Sequence, residues 1–204
     1  MIIRTCALAA ALAALTATSG FAATVKLSVG GGQQMGTSNV EVNGKLFDVE
    51  FINGSCLALF DGCDAVSDFD FTNSADALAA AKSLNDTVFL DGPLGNFDSG
   101  YTLTNGIEAN LIGLGIMAIP YAIESTRTNA AFFRNEAAFS KDLVGSNLRV
   151  GISVDLSANS IFTYARFTPA PISAVPLPAG GFLLLAGLAG LGAQQMRHRI
   201  AATD

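Results

Sequence analysis

The stretch Val40-Glu41-Val42-Asn43-Gly44-Lys45-Leu46-Phe47-Asp48-Val49-Glu50-Phe51-Ile52 sets the fold class. Asn-Gly suits the two positive-φ positions of a type I′ turn, whose twist matches that of two antiparallel strands. After the turn, Phe47, Val49 and Phe51 alternate with Asp48 and Glu50, so one strand face is apolar and the other solvated. The reading is a β-hairpin. Upstream, Thr24 to Val29 reads as another strand, closed by the flexible Gly30-Gly31-Gly32 turn. Downstream, Leu148, Val150, Ile152, Val154 and Leu156 alternate with Arg149, Gly151, Ser153 and Asp155. A turn at Ser157-Ala158-Asn159-Ser160 followed by Ile161 to Thr168 predicts that these runs form a second hairpin.

Two stretches depart from the strand pattern. Asn73 can cap a helix with Asp76 near its start, and Ala77, Ala81, Leu84 and Val88 then share one helical face. Asn129 to Val144, carrying Phe132, Phe133, Phe139 and Leu143 and followed by Gly145, predicts a second helix. The fold class is therefore α+β and β-rich: a sandwich-like or rolled antiparallel sheet with one or two short helices at one side. No internal repeat is visible.

Half of the 204 residues are hydrophobic and 14% are charged, with a mean hydropathy of +0.45. Such a chain is not intrinsically disordered. Its apolar residues concentrate at the two ends. Between them, residues 23–168 carry 16 Asp and Glu against 8 Lys and Arg, a net charge of −8. That balance argues against nucleic acid as a partner, because nucleic-acid binding relies on basic patches.

The first 22 residues have three parts. Arg4 supplies a positive charge, Thr5 to Ala17 form an uncharged Ala/Leu run, and Gly20 and Ala22 fit a small-x-small cleavage rule. This is the pattern of a secretory signal peptide, cut after Ala22, and the apolar run is shorter than the ~20 residues that span a bilayer. Residues 23–168 would then be one exported domain. Its two cysteines, Cys56 and Cys63, enclose six residues with Asp61-Gly62 as a turn. An even pair in an exported chain favours a structural disulfide. A redox pair would more often show CxxC spacing, and a zinc site would want further ligands.

Few residues in this domain offer chemistry. The single histidine, His198, lies in the tail, so a Ser-His-Asp or Cys-His arrangement has no base within residues 23–168. Gly113-Leu114-Gly115-Ile116-Met117-Ala118 matches a dinucleotide fingerprint on its face, but Pro120 stands where the phosphate-binding helix should run. A buried strand using glycine for close packing is the reading kept, and no cofactor is expected. Carboxylates are the remaining resource. Asp61, Asp64, Asp68, Asp70 and Asp76 crowd into 16 residues. Asp68 and Asp70 alternate with Phe69 and Phe71, which reads as a strand with a solvated acidic face. Two other uses stay open: Asp61, Asp64, Asp68 and Asp70 as oxygen ligands for Ca²⁺ in a calcium-dependent glycan-binding module, or a carboxylate pair in a secreted glycan hydrolase.

At the other end, Pro169 to Gly181 hold four prolines within ten residues and read as an extended linker. From Val175 to Met196 there are 22 uncharged positions, enough to cross a bilayer core, with the transmembrane helix placed at 182–196. Arg197 and Arg199 open a basic tail, 197–204, which marks the cytoplasmic side. The run Val175-Pro176-Leu177-Pro178-Ala179-Gly180-Gly181, then an apolar helix and an arginine cluster, resembles the VPLPA variety of PEP-CTERM sorting signal. Ile200 to Asp204 extend past the arginines where such tails usually stop. The segment from Leu46 through Cys56 and Cys63 to Phe71 resembles a recurring module of PEP-CTERM proteins, to which no activity is assigned.

These resemblances imply a non-enzymatic surface or matrix protein of a Gram-negative bacterium. It would be cut by signal peptidase, anchored in the inner membrane as a precursor, and passed to the cell surface by an exosortase. Its role would be structural or adhesive, beside extracellular polysaccharide or biofilm.

Overall fold

The computed structural model describes residues 24–138 and 140–171. The expectations for the leader, the sorting motif, the transmembrane helix and the basic tail fall outside those residues. Seven strands form one sheet: β1 (Lys26–Gly30), β2 (Gln33–Val42), β3 (Lys45–Ile52), β6 (Leu114–Glu124), β7 (Arg127–Glu136), β8 (Leu143–Gly151) and β9 (Phe162–Pro169). Their order is β1-β2-β3-β9-β6-β7-β8, and every neighbouring pair is antiparallel except β6 with β9. β4 (Asp91–Gly92) and β5 (Gly95–Asn96) make a separate small hairpin. Among the described residues the helices are few: α1 (Cys56–Leu59), α2 (Ser74–Ser83), a π turn over Leu84–Val88 and short 3₁₀ turns.

The opening hairpin forms as read. Asn43 and Gly44 take φ of 50° and 78°, and β2 pairs with β3 across them. Phe47, Val49 and Phe51 point into the core. The first helix also forms as read. Asn73 accepts a hydrogen bond from the Asp76 amide at 2.9 Å, and Ala77, Ala81, Leu84 and Val88 are all buried. A small-residue face of Ala77, Ala80 and Ala81 lets α2 lie close to the strands. The helix touches β2 as well as β6, β7 and β8. A flat sheet would separate β2 from β8 by roughly 24 Å at ~4.8 Å per strand, while a helix is only ~10 Å thick. The sheet therefore curls around α2.

The predicted second helix is absent: residues 129–136 belong to β7, and Leu143 and Val144 open β8. β7 is buried on both faces, Ala130 on one side and Ala131 and Phe133 on the other, with a bulge between Ala130 and Phe132. Apolar doublets in a two-sided strand imitate helical spacing. Gly145 is no helix cap either. It lies against the Phe132 ring, where any Cβ would collide.

The second hairpin is also overturned. β8 ends at Gly151, and β9 crosses to the middle of the sheet between β3 and β6. The turn signal is real, with Asp155 accepting from the Ser157 amide at 2.9 Å. Alternation identifies a strand but not its partner. β9 goes to the centre because Tyr164 is buried on one face and Thr163, Ala165 and Phe167 on the other, which leaves Arg166 to reach solvent beside Glu50.

Both faces of the sheet carry a buried cluster, while Glu50 and Arg166 keep part of the second face in solvent. The α2 face holds Val40, Phe47, Val49, Phe51, Met117, Ile119, Phe133 and Phe167. The opposite face holds Ala118, Ala130, Val150 and Tyr164 under the loop that carries Cys56, Phe60, Cys63 and Phe69. Gly115 stands as expected in a strand, its missing Cβ making room for Ile107.

Candidate functional site

Cys56 and Cys63 are bonded, with 5.7 Å between their Cα atoms and both side chains fully buried. The intervening chain is a tight knot. α1 is only four residues long, and Asp61, Gly62 and Cys63 all have positive φ, at 41°, 91° and 51°. The disulfide packs this knot onto Tyr164 and Ala118.

The acidic residues near it do not converge. Asp61 and Asp64 are exposed beside the disulfide. Asp68 closes a local turn, its Oδ2 accepting from the Asp64 and Ala65 amides at 3.0 Å each. Asp70 lies further on, with Asn43, Lys45, Phe47, Phe71 and Asp76 around a groove of about 110 Å³. Asp76 accepts from Asn43 Nδ2 and Asn73 Nδ2 at 2.7 Å each. Among the described residues no group of three His, Cys, Asp or Glu side chains is arranged to hold a metal ion.

The strand expected at Asp68 to Phe71 does not form. A 3₁₀ turn covers Val66–Asp68, and Phe69 and Phe71 go to opposite faces of the sheet. The chain crosses from the disulfide face to the helix face between them, with Asp70 at the crossing. Burial pushes the Asp70 carboxyl above its ordinary 3.8, against the opposing pull of the Phe167 amide and the Arg166 charge.

Two further depressions were not expected from the sequence. One, about 450 Å³, gathers Asp98, Glu136 and Asp142 with Asn85, Ser99 and Lys141. The Glu136 amide donates to Asp142 Oδ1 at 2.9 Å. Burial raises the Asp142 pKa, and the charges of Asp98 and Glu136 push the same way, while the Glu136 amide and Arg134 oppose them. These carboxylates come from three separate segments, so no local motif announces them. The other, about 460 Å³, is apolar and runs beside edge strand β1, between Val25 and Leu27 on one side and Leu90, Pro93 and Leu94 on the other.

The expected sorting residues, Val175 to Gly181 with Arg197 and Arg199, and the cleavage residue Ala22 fall outside the described residues. No family model, curated protein or solved structure matches this chain.

Proposed function

We propose that the chain is an exported, non-enzymatic surface or extracellular-matrix protein. A C-terminal sorting signal anchors its precursor in the inner membrane, and an exosortase-type protease processes it. The three-part tail carries this reading: Val175 to Gly181, the apolar run to Met196, then Arg197 and Arg199. The Arg4-led leader ending at Ala22 supports export. The bonded Cys56–Cys63 pair fits an oxidising compartment. The role is structural or adhesive, beside extracellular polysaccharide. The acidic balance of residues 23–168 and the lack of a histidine there are consistent with a scaffold more than with a nucleophile-base site.

Intact-mass measurement of the protein from its native cells, fraction by fraction, tests the reading. The expected product runs from residue 23 to an end within 175–181 and lacks two hydrogens. A product that ends at Asp204 in the membrane fraction would contradict processing and make 182–196 a permanent anchor. A product that retains residues 1–22 would contradict export.

A further inference from the structure

Where the segment Thr104–Gly106 meets the start of β2, polar side chains are sealed from solvent. Gln34 is 0% exposed and Thr104 1%. The two are joined by a parallel bridge, and the Asn105 amide donates to the Gln34 carbonyl at 3.0 Å. Beside them, Asn53 Nδ2 at the end of β3 donates to the Gly106 carbonyl at 3.2 Å. Gln34 Oε1 and Nε2, Thr104 Oγ1 and Asn53 Oδ1 are buried with no hydrogen-bond partner in the protein. Roughly nine in ten buried polar groups are paired, so four such atoms on three residues tied to one segment call for partners that the protein does not supply.

We propose that this seam is an internal hydration site. One or more ordered waters, bonded to Gln34, Thr104 and Asn53, fasten the 104–106 segment to β2 and β3. The donor set selects water. Gln34 Oε1 and Asn53 Oδ1 accept, Gln34 Nε2 donates, and the Thr104 hydroxyl does both, which matches a molecule with two donors and two acceptors. A metal cation would find no carboxylate among these four atoms, and an anion would face two carbonyl oxygens.

The site has a structural consequence downstream. The same connection carries Tyr101, whose hydroxyl bonds the Asn110 backbone, and Asn110 Oδ1 accepts from the Ile112 and Gly113 amides. That turn projects Leu111 fully into solvent. Water in the seam fixes the base of the loop that presents it.

A high-resolution crystal structure of the full chain is the direct test. Ordered density within hydrogen-bond distance of both Gln34 and Thr104 is the expected result. A Gln34 amide bonded straight to Thr104 or Asn53, with nothing between them, overturns the proposal. Thermal melts of full-chain variants give a second reading that does not depend on crystals. Thr104→Val, close in volume, should lower Tm by roughly 3–8 °C, and Thr104→Ser, which keeps the hydroxyl, should restore most of the loss. A Thr104→Val protein as stable as the native one, or more so, would also overturn it.

Discussion

On the α2 face, Phe47, Phe71 and Phe167 form a triad with ring centroids 5.1–6.0 Å apart. Phe51, Phe89 and Phe133 form a second run at 5.5 and 4.7 Å. A capped helix with three buried alanines lies over them. On the disulfide face one smaller cluster, Phe60, Phe69 and Tyr164, is covered by a four-residue helix and a 3₁₀ turn. Much of that cluster's surround, including Ile52, Leu59, Ile123 and Phe162, is only partly buried. The α2 cover brings its own backbone hydrogen bonds and a close-packed alanine face. The loop cover brings little of either, so a covalent link substitutes for burial. The disulfide therefore supports one face and not the protein as a whole.

The largest effect should come from the helix face. Phe133→Ala removes a fully buried ring in contact with Phe89, and a loss of about 3–5 kcal/mol is expected from urea unfolding. Next is Cys56→Ala with Cys63→Ala. For so short a loop, chain entropy gives about 2.5 kcal/mol. Isothermal unfolding should show that loss, and it should stay smaller than the Phe133→Ala loss. The reverse order would break the comparison.

A smaller effect sharpens it. The Tyr164 hydroxyl is buried without a partner, and burial pushes its pKa up to about 12. Tyr164→Phe should leave neutral-pH stability within about 0.5 kcal/mol or raise it slightly, since it removes an unpaired polar group. The folded state resists ionisation more than the unfolded one. The native protein should therefore lose stability as pH climbs from 10.0 through about 12, and the Phe variant should lose less.

The smallest effect belongs to Asp70, at the crossing between the faces. Its raised pKa means that the folded state favours the protonated form. That contribution is complete below 3.8 and is lost as pH rises through the raised value. Asp70→Asn should be slightly more stable than native at pH 7, with the difference shrinking as pH falls through the raised value and smallest below 3.8, as paired melts across pH would show.

Local signals were legible where one element carries its own instructions. Asn43-Gly44 specifies its turn, Asn73 with the Ala77, Ala81, Leu84, Val88 spacing specifies α2, and the spacing of Cys56 and Cys63 specifies a bond. Non-local facts were not. The partner of β9 depends on a strand 111 positions earlier, through Thr163 Oγ1 donating to the Ile52 carbonyl and the ladder around it. β7 lost its period-2 signature because both its faces are buried. The candidate site failed to read for a related reason. Asp61 to Asp76 are neighbours in sequence yet serve turns and a helix cap, whereas Asp98, Glu136 and Asp142 meet only through the fold.

Hydrogen exchange on the full chain, oxidised and then reduced, shows which face depends on the Cys56–Cys63 bond. Reduction should raise exchange across residues 54–70 while amides of α2, β3 and β7 keep their protection. Equal loss of protection on both faces would contradict the account, because it would make the disulfide a support of the whole sheet.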